Sequence, residues 1–152
     1  MSSVSLTNSG SNRPLERTFE NCQARRGSLF AVKRIVTLGK TNVLGGAYFA
    51  QFFVWTGEAR EQLLANVQLP PGLTLHTSEA RMKYFRELLP FDEFEIVVWP
   101  RIKRMSLSLR FFFARCGTLV AIGDQEICFK SAGNLIPIPS SIAGSVEKYD
   151  PA

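Results

Sequence analysis

The residues best placed to do chemistry lie between Leu38 and Gln62 of the 152-residue chain. Thr41-Asn42 and Gly45-Gly46 lead into Tyr48-Phe49-Ala50, and Trp55, Gly57 and Arg60-Glu61 follow. Asn42 carries an amide, which can donate a hydrogen bond and orient water but cannot act as an anionic nucleophile or a carboxylate base. Arg60 supplies a fixed positive charge. The N–H groups around Ala47–Phe49 open a helix and lack partners within it, so they can face a developing oxyanion. No carboxylate falls in reach of Asn42 and the helix opening in sequence. Each residue also has a plainer reading. Asn42 after a strand can be a turn or cap residue, and Gly45 and Gly46 can simply satisfy backbone angles. Tyr48 and Trp55 read as core before chemistry. Arg60 can be a surface residue, with Glu58 and Glu61 solvated or paired with Arg60 and Arg86. Glu61 is the carboxylate held in reserve for positioning Arg60.

Other chemistries have weaker footing. Gly39-Lys40-Thr41 mimics the end of a phosphate-binding loop, but that loop wants glycine where Arg34 stands. No G-x-S-x-G stretch occurs, which argues against a serine-nucleophile hydrolase. His76 is the sole histidine and falls on a strand. Cys22, Cys116 and Cys128 are odd in number and lack metal spacing, so inert reduced thiols are expected, with no metal and no cofactor. The N-terminus has no apolar signal core and no run approaches a bilayer span, so a cytoplasmic protein off the membrane is expected. A net charge of +5 favours anionic partners without demanding nucleic acid.

The elements that must position these groups follow from periodicity. Residues 1–27, rich in Ser, Asn, Arg and Gly, read as a flexible leader. Residues 28–133 read as the ordered domain, and 134–152, with Pro137, Pro139 and Pro151, as a mostly irregular tail. Leu29–Thr37 is the first strand. A long helix opens near Ala47 and frays near Asn66. Tyr48, Phe52, Trp55, Ala59 and Leu63 form one helical stripe, which Phe49, Phe53 and Thr56 widen. Pro70-Pro71-Gly72 stops the helix. Leu73–Arg86 reads as a long imperfect strand bulged near Ala80, with a helix over Ser78–Leu89 as the alternative. Glu93–Lys103 is the next strand, and Pro100 marks an edge or bulge within it. Leu107, Leu109, Phe111 and Phe113 alternate with Ser106, Ser108 and Arg110, and Leu119–Ser131 is the last strand after a turn at Cys116-Gly117-Thr118. An antiparallel sheet with one apolar face needs a partner layer, and the aromatic helix is the one on offer. The expectation is an α+β hotdog fold, a long central helix wrapped by a curved antiparallel five-stranded sheet. Its edge is suited to pairing with a second copy.

The turn and helix resemble hotdog thioesterases of the 4-hydroxybenzoyl-CoA type, and most closely the branch that releases enediyne polyketides from their carrier protein. That family's pattern runs T-N-x-x-G-N-x-Y-F-A, then W-x-G and R-E. It is matched here by Thr41-Asn42, Gly45, Tyr48-Phe49-Ala50, Trp55, Gly57 and Arg60-Glu61. Pro90-Phe91-Asp92-Glu93 fits the link into the third strand. The resemblance spans roughly residues 30–130. Two departures stand out: Gly46 where the branch has asparagine, and Phe52 where it often has tyrosine. Asn42 occupies the position of the catalytic aspartate of the 4-hydroxybenzoyl-CoA enzymes.

The resemblance implies a thioesterase acting on an acyl group carried by acyl carrier protein or coenzyme A, a polyketide or β-ketoacyl chain in the enediyne branch. Asn42 and Arg60 would be catalytic, and Gly45, Gly46, Tyr48, Phe49, Phe52 and Trp55 would line the substrate site, with no carboxylate nucleophile. Hotdog dehydratases place a histidine and a carboxylate near the central helix; His76 on the next strand disfavours dehydration. The basic residues Lys33, Arg34, Arg101, Lys103 and Arg104 would suit an acidic carrier face or coenzyme A phosphates. Twelve residues separate Tyr48 from Arg60, about 18 Å along a helix. Arg60 is therefore expected to come from a second subunit of a homo-oligomer, a dimer or dimer of dimers. The competing reading is a non-catalytic hotdog module that binds acyl chains or scaffolds a synthase. A nucleic-acid-binding β-domain is a third, which steeply salt-dependent affinity for single strands would reveal.

Overall fold

A computed structural model describes residues 15, 17, 19–21 and 29–149. Strand β1 spans Phe30–Ile35 and a short 3-10 turn Leu38–Lys40; helix α1 runs Gln51–Leu64. Four long strands follow, β2 Leu73–Tyr84, β3 Glu93–Ile102, β4 Leu107–Arg115 and β5 Thr118–Ser131. A short β6, Asn134–Ile136, and helix α2, Ser140–Val146, complete the chain before a last 3-10 turn at Glu147–Tyr149. The sheet is antiparallel in the order β1-β3-β4-β5-β2, with β6 beside β5.

Helix α1 explains the curl of this sheet. Its side chains reach every long strand: Glu58 pairs with Arg34 of β1, Trp55 stacks on Phe94 of β3, and Phe52 packs on Phe113 of β4. Thr56 accepts a hydrogen bond from Gln125 of β5, and Arg60 donates to Thr77 of β2. The two edge strands of a flat five-stranded sheet stand about 19 Å apart, wider than a helix of about 10–12 Å. One helix touches both edges because the sheet wraps around it. This is the hotdog arrangement that the element order predicts.

Close approach of helix and sheet needs a glycine at one point. A Cβ at Gly123 of β5 would stand 2.9 Å from Met82 Cε and 3.1 Å from Thr56 Cγ2. Around that contact Phe52, Trp55, Ala59 and Leu63 are buried, as the stripe predicts, and Thr56 joins them at 1% exposure. Phe53 does not: it lies outside the buried face. The Phe52 and Trp55 rings meet edge-on at 5.2 Å and hold the centre of the core.

Several expected boundaries move. Helix α1 begins at Gln51 rather than Ala47, because Ala47 bridges back to Thr41 and its N–H donates to the Leu88 carbonyl. β2 is a strand throughout, with its irregularity between Thr77 and Glu79, close to the bulge expected near Ala80. Pro100 lies in an interior strand, but β1 pairs with β3 only as far as Val98, so at Pro100 that flank is open.

The tail is not irregular. β6 pairs with β5 beyond the end of β4, and Ile142 and Val146, one helical turn apart, are fully buried on α2. The flexible leader of residues 1–27 falls mostly outside the described residues. Where it is described it is helical, and Phe19 is buried against Phe112 with ring centroids 5.6 Å apart. Phe112 therefore heads a second apolar cluster on the outer face of the sheet, with Val97, Leu119 and Ile122. β4 is buried on both faces at Phe111-Phe112-Phe113, which the alternation of its first half does not announce.

Candidate active site

The turn between β1 and α1 is built by its own backbone. Asn42 N–H donates to the Gly46 carbonyl at 2.7 Å, and Gly45 N–H to the Asn42 carbonyl at 3.0 Å. Gly45 sits at φ +92°, a conformation glycine adopts without steric cost. Asn42 Oδ1 accepts from the Leu44 N–H at 2.9 Å, which fixes which end of the amide is oxygen. Nδ2 is left as an uncommitted donor on an exposed side chain. Asn42 is thus a turn residue and a free amide donor at once.

Donors collect at the lead of α1. Tyr48 N–H is used by the Lys40 carbonyl, as Ala47 N–H is by Leu88, so the unpaired groups are not those expected at Ala47–Phe49. At the helix lead it is Phe49 and Ala50 whose backbone N–H groups have no partner. The next residue, Gln51, adds a buried side-chain Nε2 without a partner. Tyr84, at the end of β2, donates its hydroxyl to the Phe49 carbonyl at 2.6 Å and sets its ring edge-on to Phe52 at 5.0 Å. Burial raises the Tyr84 pKa, so the phenol stays protonated and remains a donor.

A carboxylate also stands at this turn, which the sequence does not place there. A Cβ at Gly46 would lie 3.3 Å from Glu87 Oε1 and 3.6 Å from Asn42 Nδ2. Glu87 comes from the connection between β2 and β3, forty-five residues after Asn42. The bond from Ala47 N–H to the carbonyl of the neighbouring, fully buried Leu88 brings that connection in.

Arg60 belongs to a different place. Its Nη1 donates to Thr77 at 3.0 Å and to Gln125 at 3.3 Å, while Nε and Nη2 both donate to Glu61 Oε1. Gln125, itself buried, passes a hydrogen bond on to Thr56. Glu61 thus orients Arg60, as its place in sequence suggests; Glu58 instead pairs with Arg34 at 3.6 Å. Thr77 and Tyr84 lie seven residues apart on β2, about 23 Å of extended chain. Arg60 meets β2 at Thr77, near its middle, and the helix lead beside the Asn42 turn meets it at Tyr84, so one chain does not bring the two together.

Of the other expected lining residues, Gly45, Gly46, Tyr48 and Phe49 sit at the turn, with Tyr48 and Phe49 about half exposed. Their rings lie 4.8 Å apart ahead of the helix, outside the core that the stripe assigned them. Phe52 and Trp55 are core. The basic residues do not form one patch: Arg34 pairs with Glu58, Lys103 with Glu126, and Lys33 and Arg101 lie near opposite ends of the sheet's β1–β3 side. Cys116 and Cys128 are free thiols, and Cys22 lies outside the described residues. Among the described residues no cluster of three His, Cys, Asp or Glu side chains could hold a metal, and no helix is long and apolar enough to cross a membrane.

Comparison with known proteins places this geometry. The family model of the thioesterase-like superfamily matches residues 36–146. No curated protein matches the chain by sequence. Among solved structures, the dynemicin thioesterase, studied for polyene binding, is 25% identical with a TM-score of 0.74, over 82% of this chain and 99% of its own. A 1,4-dihydroxy-2-naphthoyl-CoA thioesterase from Synechocystis shares the fold at 18% identity and a TM-score of 0.72, over 78% of this chain and 95% of its own. A Staphylococcus aureus protein solved with CoA shares it at 18% identity and 0.75, over 82% of this chain and 87% of its own.

Proposed function

The chain belongs to the thioesterase-like superfamily, and we propose that it hydrolyses an acyl thioester at the Asn42 turn, with water as the nucleophile. The observation that carries this reading is the group of uncommitted donors there: Asn42 Nδ2 and the N–H groups of Phe49 and Ala50. Attack on a thioester carbonyl moves negative charge onto its oxygen, and preorganised donors stabilise that oxyanion more than the ground-state carbonyl. Two backbone donors on a helix lead suit the oxygen, and the Asn42 amide adds a third or holds the water.

The acyl group is proposed to be a polyketide or β-ketoacyl chain, carried by acyl carrier protein or coenzyme A. The dynemicin relative favours the polyketide side, and the CoA-linked structures favour a pantetheine thiol common to both carriers.

The site is proposed to be shared in a homodimer. β2 is an edge strand of twelve residues, almost all exposed, and a long free edge is a template for pairing. Antiparallel pairing of two β2 strands about a two-fold axis between Ala80 and Arg81 would set Thr77 of one beside Tyr84 of the other. That brings Arg60 of a second copy toward the Asn42 turn, and the second copy would cover the exposed rings of Tyr48 and Phe49.

Thiol release from a panel of acyl-CoA and acyl-pantetheine thioesters tests the activity. Asn42→Ala should slow release about 100-fold, the usual cost of removing one oxyanion donor. Release at the uncatalysed rate by the unmodified protein would leave a binding module instead.

A further inference from the structure

We propose that Glu87 is the base that takes the proton of the attacking water, a role that rests on the thioesterase reading above. Its carboxylate lies over Gly46, on the same side as the Asn42 amide donor. Among the described residues it has no ion pair and no hydrogen bond, in a chain of net charge +5. It faces the turn that carries the Asn42 amide donor.

Its placement is fixed on both sides: before it, Arg86 N–H donates to the Val120 carbonyl at 3.1 Å. Leu88 is fully buried, and its carbonyl accepts from Ala47 N–H at 2.7 Å. Leu89 N–H is held by Asp92 Oδ2 at 2.8 Å. The residue before Leu88 therefore has a settled backbone against the Asn42 turn. Gly46 then matters for what it lacks. A side chain there would begin 3.3 Å from the Glu87 oxygen, closer than most real contacts, so glycine at 46 leaves the carboxylate its room.

The step is balanced without a further reactant. The water oxygen bonds to the carbonyl carbon while its proton passes to the Glu87 carboxylate. Collapse of the tetrahedral intermediate breaks the C–S bond, and the departing thiolate receives that proton. One thioester and one water give one carboxylic acid and one thiol, and Glu87 returns to its ionised form. Glu87 forms no covalent bond to the acyl group.

Glu87→Gln keeps the size and removes the basicity. We expect kcat for acyl-pantetheine hydrolysis to fall about 100-fold or more with KM unchanged, the range of general-base catalysis. Added formate should restore part of the rate to Glu87→Ala, where space is open, and none to Glu87→Gln. Gly46→Ala should lower kcat by crowding the carboxylate while thermal unfolding stays near the unmodified value. A Glu87→Gln protein as fast as the unmodified one, with Asn42→Ala slow, overturns the base and leaves the hydrolase standing. Loss of activity in both Glu87 variants without formate rescue assigns a structural role and also overturns it. An unmodified protein that releases no thiol from any acyl-pantetheine or acyl-CoA ends both readings.

Discussion

Gly123→Ala probes how closely helix α1 is held to the sheet. In an ordinary strand interior, replacing glycine by alanine favours folding by about 0.5–1 kcal/mol, because glycine loses more backbone freedom. At Gly123 the new methyl would lie 2.9 Å from Met82 Cε, 3.3 Å from Met82 Sδ and 3.1 Å from Thr56 Cγ2. Overpacking of that degree costs about 1–3 kcal/mol, so the net sign turns to destabilisation of about 1 kcal/mol. In a chain of this length that lowers Tm by about 2–4 °C. Met82 ends in a flexible tip that can move aside, but the Thr56 methyl is held by a β-branched helical side chain; Thr56→Ser removes that methyl and keeps the hydroxyl. In that background Gly123→Ala should become neutral or stabilising, a coupling of about 1 kcal/mol or more between the two positions. Urea unfolding of the four proteins, followed by Trp55 and Trp99 fluorescence, measures it. A Gly123→Ala change that stabilises equally in both backgrounds would refute the close approach.

Three further outcomes follow from the polar contacts. Burial pushes the Glu126 pKa up, but hydrogen bonds from Ser106, Ser108 and Lys103, with the Lys103 charge, together hold it below the ordinary carboxylate value. A folded value below the unfolded one gives stability that is complete above the ordinary carboxylate range and lost as pH falls through the folded value. Glu126→Gln should therefore flatten the acid side of a stability–pH curve, and an unchanged curve would count against this. Tyr84→Phe removes the 2.6 Å bond to the Phe49 carbonyl. It should cost about 1 kcal/mol in a thermal melt and lower kcat by loosening the helix lead. Arg60→Lys cannot reproduce the fork to Glu61, Thr77 and Gln125. With Gln125 buried and short of a partner, urea unfolding should register a loss of about 1–3 kcal/mol, together with lower kcat.

The helix was legible because Phe52, Trp55, Ala59 and Leu63 recur at one helical step and all face the core. The long strands were legible from alternation, as at Leu107, Leu109 and Phe111. Where the chain makes contacts at long range, local signals fail. Ala47 has good helical propensity, yet its N–H is claimed by Leu88, so the helix waits until Gln51. Prolines 137 and 139 suggested an irregular tail, although Ile142 and Val146 stand one turn apart and enter the core as a pair. Phe112 breaks its strand's alternation because the outer face carries a cluster of its own, which includes Phe19 from the presumed leader. At the site, Asn42 and Gly45 are legible as a turn, and Arg60 is legible as a residue remote from it along the helix. Glu87 and Tyr84 are not legible there. Both arrive at the Asn42 turn through the end of β2, and no spacing in sequence announces it.

Subunit mixing tests most directly the proposal that each site takes Asn42 from one copy and Arg60 from the other. Asn42→Ala and Arg60→Ala proteins, each strongly impaired alone, would be combined through distinct affinity tags and the heterodimer purified. A shared site gives a heterodimer with one intact and one doubly damaged pocket, and so about half of the unmodified rate of thiol release. A heterodimer as impaired as its parents would contradict the shared site.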